Sequence, residues 1–538
     1  MNRNSGMECH LNRPEKFQKE PKETSAMAAT GIVAIAVCAL VYLYSPQLMH
    51  FYIKYYYAVW SGFFIFLLLL FAGLLAILHV KTEDLRKRAK LVLPLTKKDS
   101  GIFVGKTKDG LPLYLSEELR CGHTQILAAT GRGKTMSVII PWTVRDIKKG
   151  RSVVLVDGKG DPDILRPIEK AIDRLKSPAV LKVFDLGNPN RSVTINPLAN
   201  GTAQQITDRI FTAFTFQDPY YRAVQYHFCG RVISLIQETE GTVTFKRLYE
   251  LLTEDRQLLE AKGRSKDESV KEYFKKWHSD PQKERMQKLM GLISQIGPFA
   301  IGEVSELVNG DPKAKDRYVS LSELILTSGE ERKTKGMAEQ QALIFLIPTL
   351  KYQNIGHQLG KLISQELGWA VGVRANDLSR QWEFTPVSFD EFSAFVYEGF
   401  HNILNKARSS NLALQLSHQS SGDLAIVSKE FADIINTNTN NKALLGLNDP
   451  VSADFYAKHL GTYTDAKLTE RAQTKPLFGK KEKTGEVSIR DVEAYKVHPN
   501  VLKNFTAGKG VLHVPTKKGN VTEEIQFAAL SDKDFERG

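Results

Sequence analysis

Short runs of apolar residues, each ending at a polar residue or a glycine, recur along the chain after residue 100. A run of about four to eight apolar residues with such an end is typical of a strand that is buried on both faces. Between the runs lie segments whose apolar residues recur every three or four positions, as in a helix with one buried face. This alternation predicts an α/β fold, in which helices cover both faces of a mostly parallel sheet. The predicted strands are 124–128, 152–157, 180–185, 384–389, 411–417, 442–447 and 510–514.

Two longer apolar segments lie near the amino terminus. Residues 26–44 carry no charge, and the only ionisable residue of 58–80 is His79. Each segment is long enough to cross a hydrocarbon core of about 30 Å as a helix. Basic residues precede the first segment and follow the second, whereas the connection between them carries one lysine, Lys54. We therefore expect a two-pass membrane anchor with both termini in the cytoplasm, and not a cleaved signal peptide, whose apolar region would be shorter.

Residues 199–383 separate two parts of the predicted sheet, and this insertion is far longer than one crossover connection needs. Apolar residues with helical spacing occur at 205–214, 220–237, 270–277, 286–296 and 340–350. We therefore expect an inserted, mainly helical domain. The predicted organisation is a tail (1–25), a membrane hairpin (26–80), the first part of the nucleotide-binding domain (81–198), the helical insertion (199–383) and the second part of the nucleotide-binding domain with the C-terminal tail (384–538).

Within the insertion, basic residues surround three aromatic residues, Tyr273, Phe274 and Trp277. Basic and aromatic side chains together are used by proteins that bind single-stranded nucleic acid. An amphipathic helix that buries its aromatic residues and exposes its lysines has the same pattern. The sequence leaves both interpretations open, so these residues are not counted as candidate site residues.

A phosphate-binding loop is predicted where the 124–128 strand ends. The sequence there is Ala128-Ala-Thr-Gly-Arg-Gly-Lys-Thr135, and a helical pattern follows it. In such a loop, backbone N–H groups and a helix N-terminus bind phosphates, the lysine reaches the β- and γ-phosphates, and the final hydroxyl binds Mg²⁺. We therefore predict ATP and Mg²⁺ as cofactors. The candidate binding residues are Thr130, Gly131, Arg132, Gly133, Lys134 and Thr135, with Lys134 also catalytic and Thr135 also a metal ligand.

Two further polar groups follow predicted strands. The 384–389 strand leads into Asp390 and Glu391, the arrangement of a Walker B strand. Asp390 is the candidate Mg²⁺ ligand, and Glu391 is the candidate general base that polarises the attacking water. Gln419 follows the 411–417 strand and is the candidate for contact with the γ-phosphate and the water, although a loop glutamine with a structural role would look the same. Because ligands bind beyond the carboxyl ends of parallel strands, these groups are expected to meet in one site.

The composition is that of a globular protein. Hydrophobic residues make up 42% of the chain and charged residues 25%, which excludes an intrinsically disordered protein. Lysine and arginine outnumber aspartate and glutamate by 73 to 60, so the formal net charge is +13. This charge favours nucleic acid or acidic headgroups as partners, but a basic solvated surface would also produce it. The 4 cysteines lie far apart, so neither a disulfide framework nor a zinc site is predicted.

Taken together, these segments resemble the VirD4/TraG/TraD coupling-protein family of type IV secretion, which is part of the RecA-like, FtsK/HerA-related P-loop ATPases. The more specific pieces are Val153-Val-Leu-Val-Asp-Gly-Lys-Gly-Asp161 and Asn196-Pro-Leu198. The two-span N-terminus, the phosphate loop, Phe389-Asp-Glu-Phe392 and Gln419-Ser420 fit the same family. The chain departs from the family pattern at Arg132, where the loop usually has a small residue.

This resemblance implies an ATPase that forms a homo-hexameric ring at the bacterial inner membrane. It also implies that the ring delivers DNA, expected to be single-stranded and bound to a relaxase, to the components of a type IV secretion channel during conjugation. In such rings a subunit supplies a positive charge to the phosphoryl transition state in its neighbour. Arg408 is the candidate for this role, and an ordinary surface arginine is the alternative.

Two other functions share most of these motifs. A coupling receptor for protein effectors would differ only in what the helical domain binds, and the sequence does not separate it from a DNA-transfer protein. A non-catalytic scaffold would bind nucleotide without hydrolysing it. Intact Lys134, Thr135, Asp390 and Glu391 argue against the scaffold, since binding alone does not need all four residues.

Overall fold

The computed structural model describes residues 101–314, 316–377, 379–474 and 481–536, together with scattered earlier positions that include 33–40 and 60–76. Residues 465–474 and 481–490 are described by their backbone alone. The chain divides into two compact units, Met1–Ala89 and Lys90–Gly538.

In the first unit, residues 33–40 and 60–76 are helical, and their side chains are exposed. The predicted spans 26–44 and 58–80 extend beyond these positions, and the predicted tail 1–25 lies wholly outside the described residues. Among the residues that are described, none of the helices combines the length and the apolar character needed to cross a membrane.

The second unit is built on one sheet of eleven strands, and a separate two-stranded ribbon is formed by β10 and β11. The strands are β1 (Gly101–Thr107), β2 (Pro112–Ser116), β3 (Thr124–Leu127), β4 (Val153–Asp157), β5 (Ala179–Asp185), β6 (Gln340–Leu346), β7 (Thr385–Asp390), β8 (Leu412–His418), β9 (Asn441–Leu445), β10 (Thr462–Thr474), β11 (Lys481–Tyr495), β12 (Lys509–Thr516) and β13 (Gly519–Phe527).

The order of strands in the large sheet is β2-β1-β13-β12-β9-β3-β8-β7-β4-β6-β5. The strands from β9 to β5 are parallel to one another, and β12, β13, β1 and β2 extend the sheet as antiparallel neighbours beyond β9. The predicted α/β fold with a mostly parallel sheet is therefore confirmed. We call the end of the parallel strands at which β3, β7 and β8 finish the carboxyl edge, and the opposite end the amino edge.

Helices account for most of the remaining chain. They are α1 (Glu117–Arg120), α2 (Ile140–Lys148), α3 (Leu165–Leu175), α4 (Ala203–Ala213), α5 (Pro219–Thr239), α6 (Phe245–Thr253), α7 (Asp255–Arg264), α8 (Glu268–Trp277), α9 (Gln282–Ala300), α10 (Glu303–Val308), α11 (Leu321–Leu326), α12 (Gly329–Thr334), α13 (Gln353–Asn376), α14 (His401–Ala407), α15 (Ser421–Ala425), α16 (Lys429–Asn438), α17 (Pro450–Leu460) and α18 (Pro499–Asn504). A π-helical turn, Thr135–Ile139, leads into α2, and 3-10 turns occur at Pro162–Ile164, Pro189–Arg191, Phe392–Phe395, Glu398–Phe400 and Asp532–Phe535.

Apolar side chains fill a separate core on each face of the sheet. On β4, Val153 and Leu155 pack into one core, and Val154 and Val156 pack into the other. Strands that are buried on both faces show no alternation of polar and apolar residues, which is why the parallel strands appear in the sequence as continuous apolar runs.

One predicted element is wrong. The apolar spacing predicts a helix at 340–350, but Gln340–Leu346 forms β6 between β4 and β5. Its residues from Ala342 to Leu346 are all buried, and a short run that is apolar throughout has the same appearance in a buried strand and in a buried helix. The other four helical segments of the insertion are confirmed as α4, α5, α8 and α9.

The aromatic residues among the lysines of this region have a structural role. Phe274 is fully buried, and the Trp277 ring lies 4.3 Å from the Phe228 ring, measured between ring centroids. Tyr273 is half-buried against the same core. All three rings pack against the core, Phe274 fully and the other two in part, which is the arrangement of an amphipathic helix.

Candidate nucleotide site

The predicted phosphate loop leaves the carboxyl end of β3 and enters α2 through the π-helical turn. Gly131 and Gly133 have φ angles of 75° and 87°, in the left-handed region that favours glycine. A Cβ on Gly133 would also lie 3.0 Å from the Ser137 hydroxyl. The backbone on either side is fixed, since the Ala129 N–H donates to the Gly446 carbonyl and the Ser137 N–H donates to the Gly133 carbonyl. This geometry is what a loop that turns its N–H groups toward phosphates requires.

Thr135 and Asp390 meet at the end of the loop. The Thr135 hydroxyl donates to Asp390 Oδ2 at 2.5 Å, and Ser417 donates to Asp390 Oδ1 at 2.8 Å. Asp390 is buried at the last position of β7, and Ser417 lies near the end of the adjacent strand β8. A hydroxyl and a carboxylate side by side are ligands that Mg²⁺ prefers, so the two predicted metal-binding residues fit that ion.

Lys134 contacts both acidic residues of the Walker B segment. Its Nζ lies 2.8 Å from Glu391 Oε1 and 3.9 Å from Asp390 Oδ1, and its side chain is 6% exposed. An ammonium group buried to this extent needs a negative partner. Here the carboxylates supply the negative charge, and the same Nζ is available to phosphate oxygens that enter the loop.

Glu391 is held at the centre of the site by its backbone and by its neighbours. The residue adopts the left-handed conformation with φ 55°, which is unusual for a residue other than glycine. A second lysine, Lys159, places its Nζ 3.0 Å from Glu391 Oε1. Burial alone would raise the pKa of Glu391, but the ammonium groups of Lys134 and Lys159 outweigh burial and lower the pKa.

Gln419 bridges the phosphate loop and Glu391. Its Oε1 accepts a hydrogen bond from the Thr130 hydroxyl at 3.0 Å, and its Nε2 lies 3.3 Å and 3.4 Å from the two Glu391 oxygens. Its backbone N–H donates to Asp423 at 2.8 Å. Gln419 therefore lies where a side chain could contact both a γ-phosphate and a water molecule beside Glu391.

Asp157 adds a third carboxyl group at the same edge. It ends β4 directly beside Asp390 of β7, and its Oδ2 accepts a hydrogen bond from the Asp161 N–H at 2.8 Å. Burial, with a smaller contribution from the nearby charge of Asp390, raises the pKa of Asp157 to about 7. The sequence places Asp157 at a strand end without indicating a role for it.

Arg132 turns away from the centre of the loop. Its guanidinium donates to the Phe505 carbonyl at 3.2 Å and to Asn448 Oδ1 at 3.4 Å, and its own carbonyl accepts from the Gly508 N–H at 3.1 Å. Arg132, the residue that departs from the family pattern, therefore connects the loop to the segment that precedes β12.

Arg408 is the one candidate that the fold does not bring to the site. It is exposed in the turn between α14 and β8, at the amino edge, whereas the other candidates gather at the carboxyl edge. Burial has the largest effect on the pKa values of Cys121 and His123, two residues that precede β3, and the charge of Arg408 lowers the pKa of each. Within one chain, Arg408 makes no contribution to the nucleotide site.

Sequence reasoning missed two residues of the site, Lys159 and Ser417. A signal was available for each. Lys159 lies inside the Asp157-Gly-Lys-Gly-Asp161 motif, and Ser417 is one residue from the end of the strand that neighbours the Walker B strand. Polar residues at the ends of adjacent parallel strands converge, and applying this rule to every strand end would have identified both.

A family model matches residues 386–503, which contain the Walker B end and Gln419. This family is described as the TraM recognition site of TraD and TraG. A curated relative, the type 4 coupling protein DotL of Legionella pneumophila subsp. pneumophila, is 22% identical over 409 residues. The match takes in 67% of this chain and 52% of the relative, so the chain spans about half the length of that protein.

Solved structures share the fold. The bacterial conjugative coupling protein TrwBdeltaN70, in its unbound monoclinic form, aligns with a TM-score of 0.53 and 15% identity, over 84% of this chain and 94% of the solved chain. TrwB in complex with ADP and Mg²⁺ aligns with a TM-score of 0.53 and 14% identity, over 82% of this chain and 93% of that one. VirB4 of Thermoanaerobacter pseudethanolicus aligns with a TM-score of 0.52 and 16% identity, over 82% of this chain and 99% of the VirB4 chain.

At these identities, the structural likeness establishes the fold alone. The family model and the curated relative add likeness in sequence, and both point to the family that the motifs resemble. This chain is therefore similar in sequence to type IV coupling proteins and shares the fold of the solved ones.

Proposed function

We propose that this chain is a type IV secretion coupling protein that hydrolyses ATP with Mg²⁺ and drives the transfer of DNA to a secretion channel. The observation that carries the proposal is the convergence of Lys134, Thr135, Asp390, Glu391 and Gln419 at the carboxyl edge. These side chains supply the phosphate contact, the metal ligands and the general base of a P-loop ATPase.

Each residue has a role that follows from its position. The N–H groups of the loop and Lys134 bind the phosphates, and Glu391 accepts a proton from the attacking water, which Gln419 helps to orient. Thr135 and Asp390 are the groups that would hold Mg²⁺, which neutralises charge on the β- and γ-phosphates when it is bound. The bond from Ser417 holds the Asp390 carboxylate in place.

The proposed assembly is a homo-hexameric ring in which Arg408 of one subunit faces the nucleotide of the next. Exposure of Arg408 away from the site of its own chain supports a role across a subunit boundary. Mixing an Arg408→Ala chain with a Lys134→Ala chain tests this role. Some ATPase activity should return, since certain boundaries then pair an intact loop with an intact arginine, and no recovery in verified mixed rings would count against it.

The proposed location is the bacterial inner membrane, with a two-pass anchor and both termini in the cytoplasm. The apolar, exposed helix at 60–76 supports an anchor, because a helix that is apolar all round needs an apolar environment. The cytoplasmic part is proposed to consist of a nucleotide-binding domain, 81–198 and 384–538, with the inserted domain 199–383.

The proposed substrate is single-stranded DNA that carries a relaxase, and the proposed partners are the components of the secretion channel. The net charge of +13 and the likeness to TrwB, a bacterial conjugative coupling protein, support DNA. A coupling receptor for protein effectors is the alternative, and it would use the same nucleotide site.

ATP turnover of the assembled full chain, with and without DNA, tests the proposal. DNA that threads a ring favours the closed arrangement of subunits, so it should raise the rate. Contacts to phosphates release counterions, so the stimulation should fall steeply between about 50 and 200 mM salt. Lys134→Ala is the control for contaminating ATPases. A rate indifferent to DNA at both salt concentrations would favour the effector receptor, and ATP binding without turnover would favour the scaffold.

A further inference from the structure

Lys159 lies in a tight turn that directs its side chain at Glu391. The Gly158 N–H donates to the Asp390 carbonyl at 3.2 Å. On the other side of the turn, the Gly158 carbonyl accepts from the N–H and the hydroxyl of Thr349, at 3.2 Å and 2.8 Å. The backbone before Lys159 is therefore fixed to both the Walker B strand and the loop after β6.

The glycines on both sides of Lys159 are required by close packing. A Cβ on Gly158 would lie 3.1 Å from the Glu391 Cβ, and one on Gly160 would lie 2.7 Å from Pro348. Gly160 also has a φ of 67°, in the left-handed region. This packing holds the turn against the Walker B segment, so the contact between Lys159 and Glu391 is a property of the fold and not a chance meeting of two long surface side chains.

Lys159 and Lys134 share one oxygen atom of Glu391. Lys134 Nζ lies 2.8 Å and Lys159 Nζ lies 3.0 Å from Oε1. A carboxylate oxygen offers two lone pairs, so the two ammonium groups together use the acceptor capacity of Oε1. Gln419 Nε2 lies 3.4 Å from Oε1 and 3.3 Å from Oε2, so Oε1 is the more crowded of the two carboxylate oxygens.

The two lysines differ in what nucleotide binding does to them. Phosphates that enter the loop offer Lys134 another anionic partner, and the lysine of such a loop takes it. Lys159 belongs to a different turn, and its side chain is 48% exposed, so it can remain on Glu391 or move into solvent. A general base must accept a hydrogen bond from the attacking water, and an ammonium group on the same oxygen competes with that water.

We propose that Lys159 is a positioning residue that restrains ATP hydrolysis by occupying Oε1, one of the two acceptor oxygens of Glu391, until it is displaced. This inference rests on the proposed ATPase function and adds a regulatory contact to the same site. Loss of the lysine side chain frees Oε1 for water, while the loop and Lys134 still bind the phosphates. The effect should therefore appear in kcat and not in KM.

Steady-state ATPase kinetics of the assembled full chain test this restraint. A half-exposed ion pair is weak enough that its loss should raise kcat about two- to fivefold. We expect Lys159→Ala to show this rise with little change in KM, and Lys159→Arg, which retains the charge, to bring kcat back toward the starting value. Lys351→Ala is the matched control, since Lys351 is exposed in the adjacent loop and does not contact Glu391.

A double-mutant cycle shows whether the effect passes through the carboxylate. In a Glu391→Gln chain, Lys159→Ala should leave the residual rate unchanged, because the general base that Lys159 restrains has been removed. A fall in kcat or a rise in KM for Lys159→Ala would overturn the inference, since it would make Lys159 a phosphate contact or a support for Glu391. Absence of Lys134-dependent hydrolysis in the unmodified chain would instead contradict the proposed ATPase function.

Discussion

The two ends of the parallel sheet bury charged residues in different ways. At the carboxyl edge, Lys134 is paired with the carboxylates of Asp390 and Glu391, which nucleotide phosphates are proposed to replace as its partners. At the amino edge of β9, Lys442 is fully buried and donates to the backbone carbonyls of Asn436 and Thr439. Lys134 has partners that a ligand can replace, whereas Lys442 donates hydrogen bonds to carbonyl groups at the C-terminal end of α16.

Two buried arginines at the amino edge, Arg374 and Arg120, also make their contacts within the fold. Arg374 donates to the carbonyls of Ile325, Glu383 and Ser410, and it joins the loops that precede β7 and β8. Arg120 forms a two-armed ion pair with Asp146. Each of these charged groups has partners within the fold, so the comparison separates charges that hold the structure from charges that remain available to a ligand.

Removing a charge at the carboxyl edge should have the largest effect, and it should fall on activity. Glu391→Gln removes the general base, and we expect ATP turnover to fall about a thousandfold while ATP stays bound. Lys134→Ala removes a phosphate contact, and we expect both turnover and ATP affinity to be lost. Turnover and equilibrium binding of an ATP analogue, with thermal unfolding as the control for folding, distinguish the two variants. Equal loss of affinity in both would contradict these roles.

Removing a charge at the amino edge should act on stability. Arg120 Nη1 and Nη2 lie 2.6 Å from the Asp146 carboxylate, and the two side chains are 1% and 2% exposed. Arg120→Met leaves Asp146 buried without its partner, so the free energy of unfolding should fall by about 3 kcal/mol.

The double variant Arg120→Met/Asp146→Leu should recover most of that loss, because an apolar pair can replace a buried ion pair. Denaturant unfolding of the unmodified chain, the single variant and the double variant measures the free energy of unfolding of each. A single variant as stable as the unmodified chain would show that the pair contributes nothing to the structure.

The contrast between the carboxyl edge and the amino edge also explains which residues could be predicted from the sequence. Residues of the carboxyl edge follow strands in recognisable patterns, so the loop, Asp390, Glu391 and Gln419 are predictable from their order along the chain. Arg120 and Arg374 have no such pattern, because their partners are a distant aspartate and backbone carbonyls that only the folded chain brings together. Arg408 is a candidate by its place between Glu391 and the strand that leads to Gln419, and its role across a subunit boundary remains a prediction.

Strands of the antiparallel extension were the hardest to anticipate. From Val521 to Phe527, β13 alternates buried positions with partly or fully exposed ones, and neither it nor β1 or β2 is among the predicted strands, which rest on continuous apolar runs. The helical interpretation of β6 failed for the opposite reason, because a fully buried run carries no period. The domain boundaries at residues 81, 199 and 384 also remain predictions.

Burial of Lys442 gives a smaller, pH-dependent effect. Burial lowers the pKa of Lys442 to about 7, whereas an unfolded lysine titrates near pH 10.4. Between about pH 7 and 10.4 the unfolded chain binds one more proton here than the folded chain, so the free energy of unfolding rises with pH. The slope should be at most about 1.4 kcal/mol per pH unit.

Unfolding of the unmodified chain and of Lys442→Met at pH 7 and pH 9 isolates this contribution, since other groups titrate in both proteins. We expect the unmodified chain to gain stability relative to the variant as the pH rises. A constant difference between the two proteins would mean that Lys442 keeps its ordinary pKa.

The smallest effect is expected at Arg132, which belongs to the site by sequence but makes its contacts to structural groups. Its guanidinium lies 3.2 Å from the Phe505 carbonyl and 3.4 Å from Asn448 Oδ1, and it is only half-buried. Arg132→Ala should therefore loosen the loop slightly and weaken ATP binding by about two- to threefold, as expected for contacts worth less than about 1 kcal/mol. Asn448→Ala removes the longer of the two contacts and should have a smaller effect. Titration of an ATP analogue measures both variants, and a tenfold or larger loss for Arg132→Ala alone would mean that this side chain contacts the nucleotide itself.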